Sequence, residues 1–85
     1  MSDVTIYTKA YCPYCETAKV LLKKKGVAFT EIAVTSRDLQ ATMTEKAGGR
    51  SSVPQIWIGT RHVGGCDDLY DLDDRGELDR LLKAA

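Results

Sequence analysis

Two cysteines separated by two residues follow directly after a short apolar run near the start of the chain. The run, residues 4–7, is rich in β-branched and aromatic side chains and predicts a strand. Pro13 suits the first position of a helix, where the N–H that proline lacks would have no partner. Cys12 is therefore predicted to be the N-cap of a helix, with Cys15 one turn further along. Two thiols at this spacing can form a reversible disulfide.

The predicted position of Cys12 favours its thiolate. The free N–H groups and partial positive charge of a helix N-terminus stabilise an anion, and Lys9 adds a nearby cation. Cys15 should be more shielded and placed to attack a mixed disulfide formed at Cys12. We therefore expect both cysteines to be catalytic, with Cys12 as the nucleophile.

The length and composition indicate one globular domain, residues 1–85. Hydrophobic residues make up 44% of the chain, and a chain of this length buries about 60–65% of its unfolded surface without needing disulfides or a structural metal. Twelve basic and twelve acidic residues cancel, so neither a nucleic acid nor a membrane is expected as a partner.

The number of cysteines bears on the cellular compartment. Three cysteines are too few, and odd in number, for a secreted disulfide framework. The N-terminal sequence has neither the apolar core of a signal peptide nor a membrane span, so we expect a cytoplasmic protein. In a reducing compartment a CxxC pair indicates redox chemistry or metal binding rather than a permanent cross-link.

Apolar periodicity and stop signals predict the remaining elements. A helix over 13–25 ends at Gly26, and a strand follows over 27–34. Such a strand–helix–strand unit makes its two strands parallel. A second helix, capped by Ser36 and reaching residue 47, should place Leu39, Met43 and Ala47 in the core.

The second half of the chain predicts a hairpin followed by two helices. Strands over 54–58 and 61–63 are joined by a short turn at residues 59–60. A short helix is expected over 66–72. Residues 74–77 resemble a helix-start capping pattern before the last helix, which carries Leu78, Leu81 and Leu82 on one side.

Three motifs in this order resemble those of the glutaredoxin family, and of its small bacterial dithiol members in particular. They are Cys12-Pro13-Tyr14-Cys15, Ser52-Val53-Pro54 and Gly64-Gly65-Cys66-Asp67-Asp68. The resemblance covers almost the whole chain. It implies an α/β, thioredoxin-like fold: a four-stranded mixed sheet, made of two parallel strands plus an antiparallel hairpin, with helices on both faces.

The resemblance also implies a glutathione site. It makes the Val53–Pro54 bond cis, so that the backbone of Val53 faces outward and pairs with an extended peptide such as glutathione. Ser52 stands where the family often carries Thr. The N-terminus of the helix after Gly65 would hold the γ-glutamyl carboxylate. Without the resemblance, this glycine pair followed by acidic residues would indicate an ordinary turn and a capped helix.

The resemblance also implies a partner for each charged group of glutathione. Lys9 and Arg50 are candidates for the glycine carboxylate, Asp67 or Asp68 for the ammonium group, and the Tyr14 ring for packing beside the tripeptide. Arg37 and Gln40 lie in a region of the second helix that contributes in some relatives. The implied binding set is Lys9, Tyr14, Arg50, Ser52, Val53, Pro54, Gly65, Cys66, Asp67 and Asp68.

The activity implied is that of a glutathione-dependent thiol–disulfide oxidoreductase acting on protein disulfides and on glutathione–protein mixed disulfides. Glutathione would serve as reductant, with no tightly bound cofactor and no metal. The expected partners are glutathione and disulfide-containing or glutathionylated proteins, and the protein is expected to act as a monomer.

Other functions remain open from residue types alone. Cys12, Cys15, His62 and Cys66 supply a C-x2-C and an H-x3-C, a set that could close a zinc site. Some relatives carry an iron–sulfur cluster across a dimer on the first cysteine and glutathione, although with other residues in the CPYC motif. A binding-only adaptor would leave the dithiol unexplained.

Individual side chains also have structural interpretations. Tyr11 either shapes access to Cys12 or packs, and Trp57 is expected to pack on the sheet. His62 is expected to be a hairpin residue without a catalytic task. Cys66 is expected to be a small packed residue rather than a second nucleophile.

Overall fold

The computed structural model describes residues 3–83, which form four strands and four helices. In chain order these are β1 (Val4–Thr8), α1 (Pro13–Lys24), β2 (Thr30–Ala33), α2 (Arg37–Lys46), β3 (Gln55–Ile58), β4 (Arg61–Gly64), α3 (Cys66–Asp74) and α4 (Leu78–Lys83). None of the helices within residues 3–83 combines the length and the apolar character needed to cross a membrane.

The strands form one sheet in the order β2-β1-β3-β4. β1 and β2 are parallel, as a βαβ connection through α1 requires, whereas β3 is antiparallel to both β1 and β4. This confirms the predicted thioredoxin-like sheet of two parallel strands plus a hairpin. Because β1 lies between β2 and β3, the loop that leaves its C-terminal end has one neighbouring strand on each side.

Alternating side chains of the central strands divide the core into two clusters. Val4 and Ile6 of β1 face the side covered by α1, α3 and α4, where Leu22, Leu69 and Leu78 are fully buried. The other face carries a smaller cluster in which α2 covers the sheet; its buried members are Tyr7, Met43, Ala47 and Trp57. Helices therefore cover both faces, and Trp57 packs on the sheet, as predicted.

Two features of the first half differ from the sequence prediction. β2 covers only Thr30–Ala33 instead of 27–34, because the chain after α1 is still closing the helix: the Val27 N–H bonds to the carbonyl of Leu22 at 3.4 Å. Leu39 was predicted to lie in the core but is only half-buried, and Met43 and Ala47 carry the buried face. The first turn of α2 lies outside the smaller core cluster.

The junction of the last two helices also differs from the prediction. α3 extends to Asp74, so this residue ends α3 instead of opening the cap of the last helix. The Glu77 N–H bonds to the carbonyl of Leu72 at 2.9 Å, and Gly76 takes a positive φ of 74°, which completes a helix-ending turn. α4 begins only at Leu78.

Candidate active site

Cys12 is the N-cap of α1, as the sequence predicts. Its backbone is extended, with φ −108° and ψ 101°, and Pro13 takes the first helical position. The backbone N–H of Cys15 donates to Cys12 Sγ at 3.1 Å. The sulfur therefore occupies the place of a capping oxygen and receives an N–H from the first turn of the helix.

Cys12 and Cys15 form a disulfide, with their Cα atoms 5.2 Å apart. The two cysteines differ in accessibility: Cys15 is buried, with 1% of its surface exposed, whereas Cys12 is only partly buried. A substrate sulfur approaching from solvent can therefore contact Cys12, while Cys15 is shielded beneath it.

The loop before β3 approaches the dithiol from the side. The Val53–Pro54 peptide bond is cis, which confirms the expectation from the resemblance. Cys12 Sγ lies 3.8 Å from the carbonyl oxygen of Val53. This contact places the sulfur of Cys12 against the backbone that leads into the central strand β3.

A groove of about 210 Å³ lies beside this loop and ends at the N-terminus of α3. We call it the β3–α3 groove. Its lining comprises Tyr14, Arg50, Ser52, Val53, Pro54, Gly65, Cys66, Asp67 and Asp68. Nine of the ten predicted glutathione-binding residues are thus brought together here, from three separate parts of the chain, although their binding of glutathione stays a prediction.

An ion pair crosses one end of the β3–α3 groove. Arg50 Nη1 lies 3.1 Å from Asp68 Oδ2, and the same oxygen accepts the backbone N–H of Gly65 at 2.8 Å. These contacts lower the pKa of Asp68, the Gly65 N–H first and Arg50 second, against the opposing effect of burial. Asp68, at the third position of α3, thus accepts the N–H of the N-cap residue, as in a capping box. The reciprocal bond of a capping box is missing because the N-cap residue, Gly65, has no side chain.

Gly64 leaves the space that this ion pair occupies. Its φ is +116°, and a Cβ added there would overlap the Asp68 carboxylate and lie 2.6 Å from Arg50 Nη1. The first glycine of the pair is therefore required for the close approach of Arg50 and Asp68 to the backbone.

The sequence matches a known family. The glutaredoxin family model matches residues 4–63, and a glutaredoxin of Pseudomonas aeruginosa is 56% identical over 85 residues, covering 99% of this chain and 100% of that protein. The chain belongs to the glutaredoxin family. Together with the Cys12–Cys15 pair, membership gives this glutaredoxin a general role in thiol–disulfide redox chemistry.

Solved glutaredoxin structures have the same fold. The solution structure of a glutaredoxin from Brucella melitensis superposes with a TM-score of 0.86 at 56% identity, covering 98% of this chain and 90% of that one. A crystal structure of a buckwheat glutaredoxin–glutathione complex also has a TM-score of 0.86, at 29% identity, covering 95% of this chain and 76% of that one.

Lys9 is the one predicted binding residue that lies outside the β3–α3 groove. It borders a shallow depression together with Arg37 and Gln40 at the start of α2. The sequence paired Lys9 with Arg50 as partners of one carboxylate, but this glutaredoxin places them in different depressions, because Arg50 is held at the far end by Asp68. Gln40 Nε2 donates to the Ser51 carbonyl at 3.1 Å, which connects this depression to the loop of the groove.

Gln55 is a structural residue of the site that sequence reasoning missed. It is fully buried, and its amide nitrogen donates to the Ser52 carbonyl at 3.0 Å. Its oxygen lies 2.7 Å from His62 Nε2, so the imidazole carries its proton on that nitrogen. The signal was present in the sequence, since Gln55 is the one polar residue of an otherwise apolar strand. It braces the loop of the groove against β4.

Three of the four candidate zinc ligands have other partners, and the fourth, Cys66, is a buried free cysteine. Cys12 and Cys15 pair with each other, and His62 bonds to Gln55 and stacks on Trp57 with ring centroids 4.7 Å apart. Within residues 3–83 no three His, Cys, Asp or Glu side chains are grouped to hold a metal ion. His62 lies in β4, as the hairpin interpretation predicted.

Cys66 is buried and Tyr11 is exposed, so the structure tests the packing role expected of each in opposite ways. Cys66 is buried at the first position of α3, where burial first and Asp67 second raise the pKa of its thiol. This fits the expected small packed residue. Tyr11 is fully exposed, so the packing alternative for this side chain is wrong.

Proposed function

We propose that this protein is a glutathione-dependent thiol–disulfide oxidoreductase that reduces protein disulfides and glutathione–protein mixed disulfides. The observation that carries the proposal is the β3–α3 groove, which lies beside the nucleophilic cysteine and ends at a helix N-terminus. The buckwheat relative, whose structure contains glutathione, supports the choice of ligand. In this proposal the protein acts as a monomer in the cytoplasm without a tightly bound cofactor.

The groove offers a partner for each part of the tripeptide. The backbone of Val53 would pair with the extended cysteinyl residue, as an added strand pairs with a sheet edge. Backbone N–H groups at the start of α3, with Arg50 beside them, would hold the γ-glutamyl carboxylate, and Asp67 or Asp68 the ammonium group. The Tyr14 ring, which is 65% exposed, would pack beside the ligand.

The glycine carboxylate would lie at the opposite end. Lys9, Arg37 and Gln40 form a polar depression that is linked to the groove through the Gln40–Ser51 hydrogen bond. Two cations at this end and the α3 N-terminus at the other give the site charges that complement a ligand with a carboxylate at each end. Arg50 is thereby reassigned from the glycine end to the γ-glutamyl end.

In the monothiol route the Cys12 thiolate attacks the glutathione sulfur of a mixed disulfide. A bond forms between Cys12 and glutathione, the original disulfide breaks, and its electron pair leaves with the substrate thiolate, which takes a proton from water. A second glutathione thiolate then attacks the glutathione sulfur on Cys12 and restores the Cys12 thiolate, giving oxidised glutathione. Cys15 takes no part in these steps.

In the dithiol route Cys12 attacks one sulfur of a protein disulfide and the other substrate sulfur leaves as a thiolate. Cys15 then attacks Cys12 Sγ, which frees the second substrate thiolate and closes the Cys12–Cys15 disulfide. The substrate gains two electrons and the enzyme loses two. Two glutathiones return them in turn and become oxidised glutathione. The burial of Cys15 under Cys12 is consistent with this order of attack.

The test is reduction of a glutathione–β-mercaptoethanol mixed disulfide by glutathione, coupled to glutathione reductase and NADPH. We expect Cys12→Ser to abolish turnover and Cys15→Ser to keep most of it, because only Cys12 is needed in the monothiol route. Thermal unfolding of both variants checks that they fold. Equal loss in the two folded variants, or turnover supported by thioredoxin reductase but not by glutathione, would contradict the proposal.

A further inference from the structure

A second, larger depression of about 750 Å³ also opens at Cys12. We call it the α1–β2 cleft, after the two elements that form its walls: Pro13, Glu16 and Lys19 of α1, and Glu31 and Ala33 of β2. It shares no lining residue with the β3–α3 groove. Because β2 and β3 flank β1 on opposite sides, and Cys12 follows β1, the two depressions lie on opposite sides of the nucleophile.

Four charged side chains line the cleft, and their formal charges sum to zero: Lys9, Glu16, Lys19 and Glu31. Lys19 Nζ lies 2.9 Å from Glu16 and 3.1 Å from Glu31, and the buried hydroxyl of Thr8 donates to Glu31 at 2.7 Å. These partners lower the pKa of Glu31 and raise the pKa of Lys19, so both of these groups stay ionised near neutral pH.

The character of the cleft suits a peptide more than glutathione. With Lys19 held between two carboxylates, Lys9 is the one cation lining the α1–β2 cleft that forms no ion pair within residues 3–83, and it also borders the depression proposed for the glycine carboxylate. Apart from Lys9 and Tyr11, the rest of its lining consists of small or apolar side chains, among them Ala10, Ala33 and Val34. An uncharged stretch of polypeptide fits such a surface better than a doubly carboxylated tripeptide does.

Tyr11 forms the rim of this cleft next to Cys12. Its side chain is fully exposed, and its φ of 57° makes it the one non-glycine residue in the left-handed region among residues 3–83. The left-handed conformation is unfavourable for a tyrosine, and this strain is not offset by burial of the ring within the protein. An aromatic ring held in solvent beside a nucleophile is a surface that a partner can cover.

We propose that the α1–β2 cleft receives the polypeptide that flanks the attacked cysteine of a disulfide-bonded protein substrate, and that Tyr11 is a specificity-determining residue for such substrates. The proposal rests on the proposed function, which supplies protein disulfides as substrates. When Cys12 is bonded to a substrate sulfur, the substrate chain must lie within a few ångströms of Cys12. The cleft is continuous with that sulfur and shares no lining residue with the β3–α3 groove, although it shares Lys9 with the depression proposed for the glycine carboxylate.

The kinetic test compares two substrates in the coupled assay with glutathione: insulin, for protein disulfides, and the glutathione–β-mercaptoethanol mixed disulfide. We expect Tyr11→Ser to lower kcat/KM for insulin about tenfold, the usual effect of truncating an aromatic contact at an interface. Turnover of the small mixed disulfide should stay within about twofold of wild type. Tyr11→Phe, which keeps the ring, should restore insulin reduction.

A matched control is Val20→Ser. Val20 is a large hydrophobic residue of α1 that is 60% exposed but does not line the cleft, so its loss should change neither substrate. A Tyr11→Ser variant that loses activity equally on both substrates, or on neither, would overturn the cleft assignment. Failure of the wild-type protein to reduce the small mixed disulfide would instead overturn the proposed function, so the two failures are distinguishable.

A structural measurement locates the substrate directly. The Cys15→Ser variant can be trapped as a disulfide between Cys12 and an uncharged single-cysteine peptide, and its backbone amide chemical shifts compared with those of the glutathione-trapped form. We expect peptide-specific shifts at Tyr11, Glu16 and Ala33, and glutathione-specific shifts at Val53 and Gly65. Peptide shifts confined to the β3–α3 groove would refute the proposal.

Discussion

The backbone N–H of Cys15 points at the sulfur of Cys12 across 3.1 Å, while the side chain of Cys15 is buried beneath it. One residue thus places a backbone N–H donor against the sulfur of Cys12, the proposed nucleophile, and keeps its own sulfur away from solvent. The helix N-terminus accounts for both effects, because residues at the N-cap and at the third helical position lie one turn apart.

Alkylation should distinguish the three cysteines of the reduced protein. With iodoacetamide near neutral pH, we expect Cys12 to react on the order of tenfold faster than Cys66, whose thiol is buried and whose pKa is raised by burial and by Asp67. Peptide mass spectrometry over a time course measures the rates. In denaturant all three thiols should react alike, and native rates for Cys66 as fast as those for Cys12 would contradict this reading of the site.

Asp68→Ala should destabilise the protein by about 1 kcal/mol, the usual cost of losing a capping side chain. The ion pair with Arg50 adds little, because the Asp68 side chain is 46% exposed and solvent screens it. The lowered pKa of Asp68 means that its contribution is present above the unfolded-state value of 3.8 and is lost as pH falls through the folded-state value. Urea unfolding near neutral pH and at about pH 3 should show the difference from wild type shrinking in acid.

Asp71→Ala is the control for that comparison. Asp71 pairs with Arg75 across one turn of the same helix and is 64% exposed, so its removal should cost about 0.5 kcal/mol or less. A loss as large as that of Asp68→Ala would show that the cap on Gly65 has no special weight.

Gly64→Ala should disturb the Arg50–Asp68 pair as well as the backbone. The added methyl group meets both side chains, and φ of +116° is unfavourable for alanine, so a loss of about 1–3 kcal/mol is expected. Gly59→Ala separates the two causes, because Gly59 also has a positive φ, of 60°, but a Cβ there meets no atom within 4 Å. The Gly59 variant should therefore lose only about 1 kcal/mol in thermal or urea unfolding. Similar losses in both variants would argue against crowding at Gly64.

Trp57 fluorescence should report the protonation of His62. Trp57 is the only tryptophan in the sequence, and its ring stacks on the imidazole. Burial first and Arg50 second lower the pKa of His62, whereas Asp68 opposes them, so the fluorescence titration should have its midpoint below the ordinary value of 6.5. Arg50→Gln should raise the midpoint, and His62→Asn should remove the titration. A midpoint above the ordinary value would show that Asp68 outweighs burial and Arg50.

Local signals in the sequence predicted much of the fold and of the dithiol. Pro13 after Cys12 identified the helix start, and the alternation around Trp57 identified a sheet strand with one face toward each core. The motifs resembling glutaredoxins predicted the cis bond before Pro54 and nine residues of the groove. Helix and strand boundaries were less accurate at β2 and α3, because end hydrogen bonds such as that of Val27 depend on how the chain leaves a helix.

The sequence by itself determined that Cys12 caps a helix and that Cys15 lies one turn further along it. It also determined the order of strands and helices that a thioredoxin-like fold requires. Capping, periodicity and turn chemistry act between residues close in sequence, so they can be seen without coordinates. Only the tertiary structure decided that Arg50 pairs with Asp68 and lines a different depression from Lys9. That pairing depends on the strand order and on the packing of α3 against the sheet, which bring together side chains far apart in the chain.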